Sequence, residues 1–251
     1  MISRDDWLHE LRPYVERARQ IEGWTFAFEP VPLGPPPPWD YLARARELLP
    51  GARSVLDMGT GGGERFAELL IGFSGRAVAT EGWAPNVSVA ARRLRPLGAA
   101  VVFALNLTVP FAGETFELIL NRHEDLDPAD VARVLRPGGA VLTQQCHSDD
   151  HAELRAFFPR MTIWEPHHET YPRGFEAAGL RLVDVREHSR PVTYQHLGEI
   201  VYLLEVAPWT VPDFDIESDL EALIALDRDL RGPEGIVLSE RRYIVEAYKP
   251  G

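Results

Sequence analysis

Ser54-Val55-Leu56-Asp57-Met58-Gly59-Thr60-Gly61-Gly62-Gly63-Glu64 decides the fold. An apolar run of β type ends in a carboxylate, and a glycine turn follows at once. Arg65 to Leu70 then repeats its apolar residues at helical spacing. The reading is strand, glycine loop, helix. Glycines let such a loop bend tightly and let a ligand approach the main chain with no Cβ in the way. The free N–H groups of the following helix point at the loop.

The same alternation continues outward. A helix over 41–49 leads into the first strand. Further strands are expected over 76–81, 100–105, 115–120, 140–144, 181–187 and 242–248. Helices are expected over 86–94, from Asp127-Pro128 to Arg136-Pro137-Gly138-Gly139, and over 172–178. This pattern predicts an α/β fold, a doubly wound, mostly parallel sheet with helices on both faces. Residues 1–50 form an N-terminal helical and lid segment, and 51–251 the main domain, interrupted by an insertion at about 190–238 with two helices. Residues 3–20 read as an amphipathic helix capped by Ser3, which Pro13 is expected to bend or break. From Trp24 to Tyr41, five aromatic residues flank four successive prolines. That stretch is either a strap over the sheet edge or a lid across the ligands.

The glycine loop suits a dinucleotide or S-adenosylmethionine. A dinucleotide fingerprint wants glycine at the first, third and sixth places. Gly59 and Gly61 fill the first and third places, but Glu64 stands at the sixth, where it would repel a pyrophosphate. S-adenosylmethionine has no phosphate, and Asp57 suits its ammonium group. Glu81 lies 24 residues after Asp57 and can accept both hydroxyls of a ribose. Trp83 can stack on adenine, Asn106 can read the adenine amino group, and Leu107 offers a backbone N–H and an apolar edge.

The 251 residues suffice for one full core, and 45% of them are hydrophobic, as in an ordinary globular chain. No apolar run is long enough to span a membrane, and the charged start reads as no signal peptide. The single cysteine, Cys146, excludes an internal disulfide framework, so a cytoplasmic location is expected. A net charge of −12 disfavours nucleic acid as a partner.

Five motifs together resemble the class I S-adenosylmethionine-dependent methyltransferase superfamily. They are Val55 to Glu64, the strand ending at Glu81, Asn106 to Phe111, Phe116 to Leu120, and Leu135-Arg136-Pro137-Gly138-Gly139. The resemblance implies a Rossmann-like sheet of seven strands with the last one antiparallel. It implies S-adenosylmethionine as cofactor, held by Asp57, Gly59, Thr60, Gly61, Glu81, Gly82, Trp83, Asn106, Leu107 and Asn121. The family more often has Asp where Asn106 stands.

The acceptor is expected to be a small molecule, methylated on oxygen or nitrogen. His123, after the fourth strand, is the candidate general base, with Glu124 to orient it. Arg122, His147 and Trp24 are candidate acceptor contacts, unless Arg122 and Glu124 simply pair. His147 and His151 have zinc-compatible spacing, with His167-His168-Glu169 further on, but a loop position argues against a metal, and none is expected. The rival readings are an RNA methyltransferase and a non-catalytic module that binds S-adenosylmethionine. The sequence says nothing of oligomeric state.

Overall fold

The computed structural model describes residues 3–105 and 107–251. Seven long strands build its sheet: β1 (Ser54–Met58), β2 (Arg76–Glu81), β3 (Ala100–Phe103), β4 (Phe116–Arg122), β5 (Leu135–Cys146), β6 (Arg181–Tyr194) and β7 (Gly235–Tyr248). Their order across the sheet is β6-β7-β5-β4-β1-β2-β3. From β5 through β3 all pairings are parallel, and β7 runs antiparallel to both of its neighbours. The order reverses direction at β1 and β4, which puts a crevice at their carboxyl ends. The doubly wound sheet with one antiparallel strand is as expected.

Among the described residues, eight α-helices surround it: α1 (Arg4–Ala18), α2 (Tyr41–Leu48), α3 (Glu64–Leu69), α4 (Ala84–Leu94), α5 (Pro128–Val134), α6 (His167–Ala177), α7 (Leu197–Val206) and α8 (Leu220–Leu230). One face of the sheet packs Phe116, Ile119, Val141 and Val245 against α5 and α6. The other packs Leu118, Leu120, Leu142 and Ile244 against α2, α3 and α4. A separate core joins α1, α7 and α8 through Leu11, Val15, Ile200, Leu204 and Leu223. No described helix is long and apolar enough to cross a membrane.

Several boundaries differ from expectation. Helix α1 passes through Pro13 unbroken. The Ser3–Asp6 capping box holds its start, and burial of Leu8, Leu11, Val15 and Ala18 outweighs the missing N–H. Strands β6 and β7 each run 14 residues and pair along nearly all of that length. The insertion therefore shrinks to the helical segment between them. Polar residues from Arg186 to Arg190, with Pro191, hide the strand from a search for apolar runs, yet the pairing supplies the backbone bonds. Helix α6 begins at His167, before the expected 172, with Pro172 inside it. Residues 136–139 belong to β5 rather than to a turn. The proline-rich stretch does pack on the sheet edge: Val31 and Pro32 pair with Thr193 and Val192 of β6.

Candidate cofactor and acceptor site

At the end of β1, Asp57 is buried, and burial pushes its carboxyl up to about 7, with Glu81 adding to the rise. Arg122 and the Thr60 hydroxyl oppose that rise. No hydrogen bond of ordinary geometry serves the hydroxyl, however: Thr60 Oγ1 is buried without such a partner, and so is Tyr41 Oη, although the Asn121 backbone lies near enough to act on it. Tyr41, in the first turn of α2, lies close enough for Asp57 and Arg122 to act on its ionisation. Arg122 forms no ion pair or hydrogen bond among the described residues. A buried carboxylate thus faces two orphaned hydroxyls and an unpaired guanidinium. Such groups are costly unless something completes them.

The loop after Asp57 is closely packed by its neighbours. Gly59 (φ +69°) and Gly61 (φ +62°) have left-handed backbones. A Cβ on Gly59 would overlap the side chain of Glu124, and one on Gly61 would overlap the indole of Trp24. Thr60 N donates to Thr80 O at 2.9 Å, which ties the loop to β2. Glu81, only 3% exposed, ends β2 and accepts from Trp83 N at 2.6 Å. Burial raises its carboxyl, while the Trp83, Gly61 and Gly82 amides draw it down. Trp83, Leu105 and Leu107 are exposed apolar side chains, and a Cβ on Gly82 would make an ordinary contact with Leu105. Asn106 lies outside the described residues.

Asn121 ends β4 with its side chain fully buried. Its amide donates to Met58 O at 3.3 Å and its carbonyl accepts from Thr143 Oγ1 at 2.7 Å and from Gln145 Nε2. Gln145 Nε2 also donates to Glu124 O at 2.8 Å. This network fixes Glu124 beside the glycine loop. The sequence reading missed Thr143 and Gln145. Their signal was a polar run, Thr143 to Gln145, following an apolar stretch of the strand.

His123 and Cys146 stay accessible although protein surrounds them, so they line a recess rather than the outer surface. His123 has a left-handed backbone (φ +58°), and its N–H extends the β4–β5 ladder to Gln144 O at 2.8 Å. Burial, with Arg122 and Arg242, holds its imidazole well below the usual range, against a weaker opposing pull from Asp150. Burial pushes the Cys146 thiol up to about 11. Trp39 Nε1 donates to Gln144 Oε1 at 2.8 Å, and Gln144 Nε2 lies 3.3 Å from His123 Nε2. The sequence reading counted Trp39 only among the aromatic residues of the 24–41 stretch and Gln144 only as a strand end.

Trp24 packs on the glycine loop and meets Trp209 of the insertion edge-on, with ring centroids 5.6 Å apart. His147 stacks on His168, centroids 3.8 Å apart, and with Glu187 they bring three donor atoms within 4.8 Å of one another. His147 Nδ1 already accepts from Asp149 N at 3.1 Å. The ring proton then sits on Nε2, so His147 as it stands offers a metal no lone pair. His151 is elsewhere, between Asp150 (3.1 Å) and Tyr194 (2.9 Å). A concavity of about 860 Å³ at the amino ends of β1, β4 and β5 is remote from all of this. There Arg53 and Arg136 both pair with Glu117.

No protein-family model matches the chain, and no curated protein matches its sequence. Solved structures do match. A functionally unknown protein from Deinococcus radiodurans R1 superposes with a TM-score of 0.64 at 19% identity, over 95% of this chain and 99% of that one. The [4+2]-cyclase SpnF gives 0.59 at 14% identity, over 97% and 93%. Geranyl diphosphate methyltransferase, solved with S-adenosylmethionine, gives 0.50 at 20% identity, over 83% and 85%. The fold is that of the class I methyltransferases. A likeness at these identities speaks to architecture. The chemistry has to come from the residues.

Proposed function

We propose that the protein is an S-adenosylmethionine-dependent methyltransferase acting on an oxygen or nitrogen of a small-molecule acceptor. One observation carries the reading: a buried Asp57 beside an unpaired Arg122 and the orphaned hydroxyls of Tyr41 and Thr60. These groups fit the two charges of an amino acid. Asp57 would hold the ammonium, and Arg122 with the two hydroxyls the carboxylate. Arg122 then serves the cofactor rather than the acceptor. Glu81 would hold the ribose, and Trp83, Leu105 and Leu107 the adenine. When bound, the cofactor supplies an electrophilic methyl group. Trp24 and the insertion exclude water, and aligned approach in a dry site contributes most of such a rate.

The case against a dinucleotide changes its basis. Glu64 pairs with Arg93 at 2.6 Å, which removes much of the repulsion expected from the sequence. Crowding replaces it, because a Cβ on Gly62 would meet Gly23 and Glu64, and one on Gly61 would meet Trp24. A pyrophosphate needs that backbone open. The test is calorimetric titration with S-adenosylhomocysteine and NAD, followed by an assay for S-adenosylhomocysteine release with a panel of small acceptors. Micromolar binding of the first, with none of NAD, is expected. NAD binding alone would overturn the reading. Because one protein of this fold is a cyclase, release of S-adenosylhomocysteine, not binding, decides whether transfer occurs.

A further inference from the structure

Trp39, Gln144 and His123 form a chain whose hydrogens are fixed by chemistry. An indole N–H can only donate. Trp39 Nε1 points at one end of the Gln144 amide, so that end is the carbonyl oxygen, and the NH₂ end faces His123 Nε2. An NH₂ group can only donate. His123 Nε2 must therefore accept, and the ring proton must sit on Nδ1. Protonating Nε2 would set N–H against N–H. Arg122 and Arg242 add positive charge around the ring, and Asp150 is the acidic group that acts on it. Arg242 is itself paired with Asp150 at 2.6 Å and Glu240 at 3.4 Å, whereas the Arg122 guanidinium has no partner among the described residues. Trp39 is anchored in turn, its ring lying edge-on to His188 and under the Arg186 guanidinium, 5.5 Å from the ring centre.

A general base needs a free lone pair on the side facing its proton. His123 has its only lone pair engaged and a surrounding charge that opposes the imidazolium. Its left-handed backbone is rarely adopted by a side-chain-bearing residue without a reason in the surroundings. We propose that Trp39, acting through Gln144, locks His123 as a neutral donor that presents Nδ1–H to the acceptor, and that the recess accordingly takes acceptors arriving as oxyanions, a carboxylate or an acidic phenol. Trp39 and Gln144 are positioning residues, and His123 touches the acceptor. The inference rests on the methyltransferase reading. In the transfer, an acceptor oxygen lone pair forms the new O–C bond as the C–S bond breaks toward sulfur. The anionic and sulfonium charges cancel, and no proton is left to remove.

Two measurements test it. Long-range nitrogen-15 NMR on the unligated protein reads the histidine tautomer without any turnover. His123 is expected to stay neutral, protonated on Nδ1, at pH values well below the ordinary histidine range, whereas Trp39→Phe should give mixed tautomers and titrate closer to that range. Protonation on Nε2 in the wild type, or titration in the ordinary range, overturns the lock. The second measurement is binding and turnover with benzoate, 4-nitrophenol, benzyl alcohol and benzylamine in the presence of cofactor or S-adenosylhomocysteine. Preference for the first two supports the oxyanion, benzoate against nitrophenol separates its two sources, and preference for the alcohol or amine overturns it. His123→Asn places an amide N–H where Nδ1–H was and tolerates a left-handed backbone. It should lose less than about tenfold in turnover, while His123→Gln, whose amide reaches only the Nε2 position, loses more. A loss of about 10²–10⁴-fold in both would mark a general base instead. If S-adenosylhomocysteine fails to bind, the methyltransferase reading falls, while the tautomer and the preference in binding still decide the lock and the recess.

Discussion

The two halves of the sheet's carboxyl edge are built differently. The half at β1 and β2 is assembled mostly from neighbours in sequence: Asp57, Thr60, Gly61, Glu81 and Trp83 fall within one βαβ unit, while Tyr41 and Arg122 come from outside it. The half at β5, β6 and β7 is assembled from afar. Trp39 meets Gln144, Trp24 meets Trp209, and Arg242 meets Asp150. The first half must match one ligand and so is written as a local motif. The second is a recess whose walls come from four separate parts of the chain, and it can change wall by wall. A substitution in the first half should thus act on cofactor affinity, and one in the second on acceptor choice.

The largest effect should come from Gly61→Val. The left-handed backbone and the Trp24 indole both oppose a side chain there. A stability loss of at least about 1–3 kcal/mol is expected in denaturant unfolding, together with loss of S-adenosylhomocysteine binding. An unfolding midpoint equal to that of the wild type would mean Trp24 does not rest on the loop.

Glu81→Ala comes next. It should weaken S-adenosylhomocysteine binding by about 1.5–3 kcal/mol without changing which acceptors are used. Equal titration curves for variant and wild type would take Glu81 out of the ribose site.

The pH dependence of binding sharpens the comparison further. Burial holds the Asp57 carboxyl near pH 7 in the unligated chain, against 3.8 for an ordinary one. Between those values the unfolded chain has already released this proton and the folded one has not. This group therefore makes stability fall as pH rises from about 4 to about 7, and then level off. An ammonium ion beside Asp57 favours the carboxylate. Affinity for S-adenosylhomocysteine should thus rise about tenfold per pH unit up to about pH 7 and flatten above it. Asp57→Asn should remove both slopes.

The smallest effect, and the most telling in sign, is expected from Tyr41→Phe. Removing a buried hydroxyl that lacks a partner should leave the unligated protein as stable or up to about 1 kcal/mol more stable. The same change should weaken cofactor binding severalfold. Weaker binding together with lower stability would make the hydroxyl structural.

Legibility in the sequence follows the same division. The alternation of strands and helices and the glycine loop were readable because apolar runs, a terminal carboxylate and glycines lie next to one another. The continuations of β6 and β7 were not, since each makes its backbone bonds with the other and needs no apolar signature where its faces are polar. The place of His123 after β4 was readable, but the hydrogen bonding proposed to set its protonation involves Gln144 and Trp39, over a hundred residues from Gln144 in the chain. Tyr41 was read only as the start of a helix. That its hydroxyl would meet Asp57 depends on how α2 lies against the sheet. The pairing of Glu64 with Arg93 reversed an argument that the local sequence had supported.

The position of β7 also orders events in time. It enters between β5 and β6, so neither strand has its final neighbour until residues 235–248 are available. Strands β1 to β5 and their helices can pair earlier, through contacts of shorter sequence separation, which form faster. The cofactor half is then expected to acquire protection in pulsed hydrogen exchange before the acceptor recess, whose Arg242 wall arrives with β7. Until β7 docks, β5 presents an open edge, the kind that pairs with other chains. Refolding yield should therefore fall with protein concentration, and a β7 peptide added in excess should restore it.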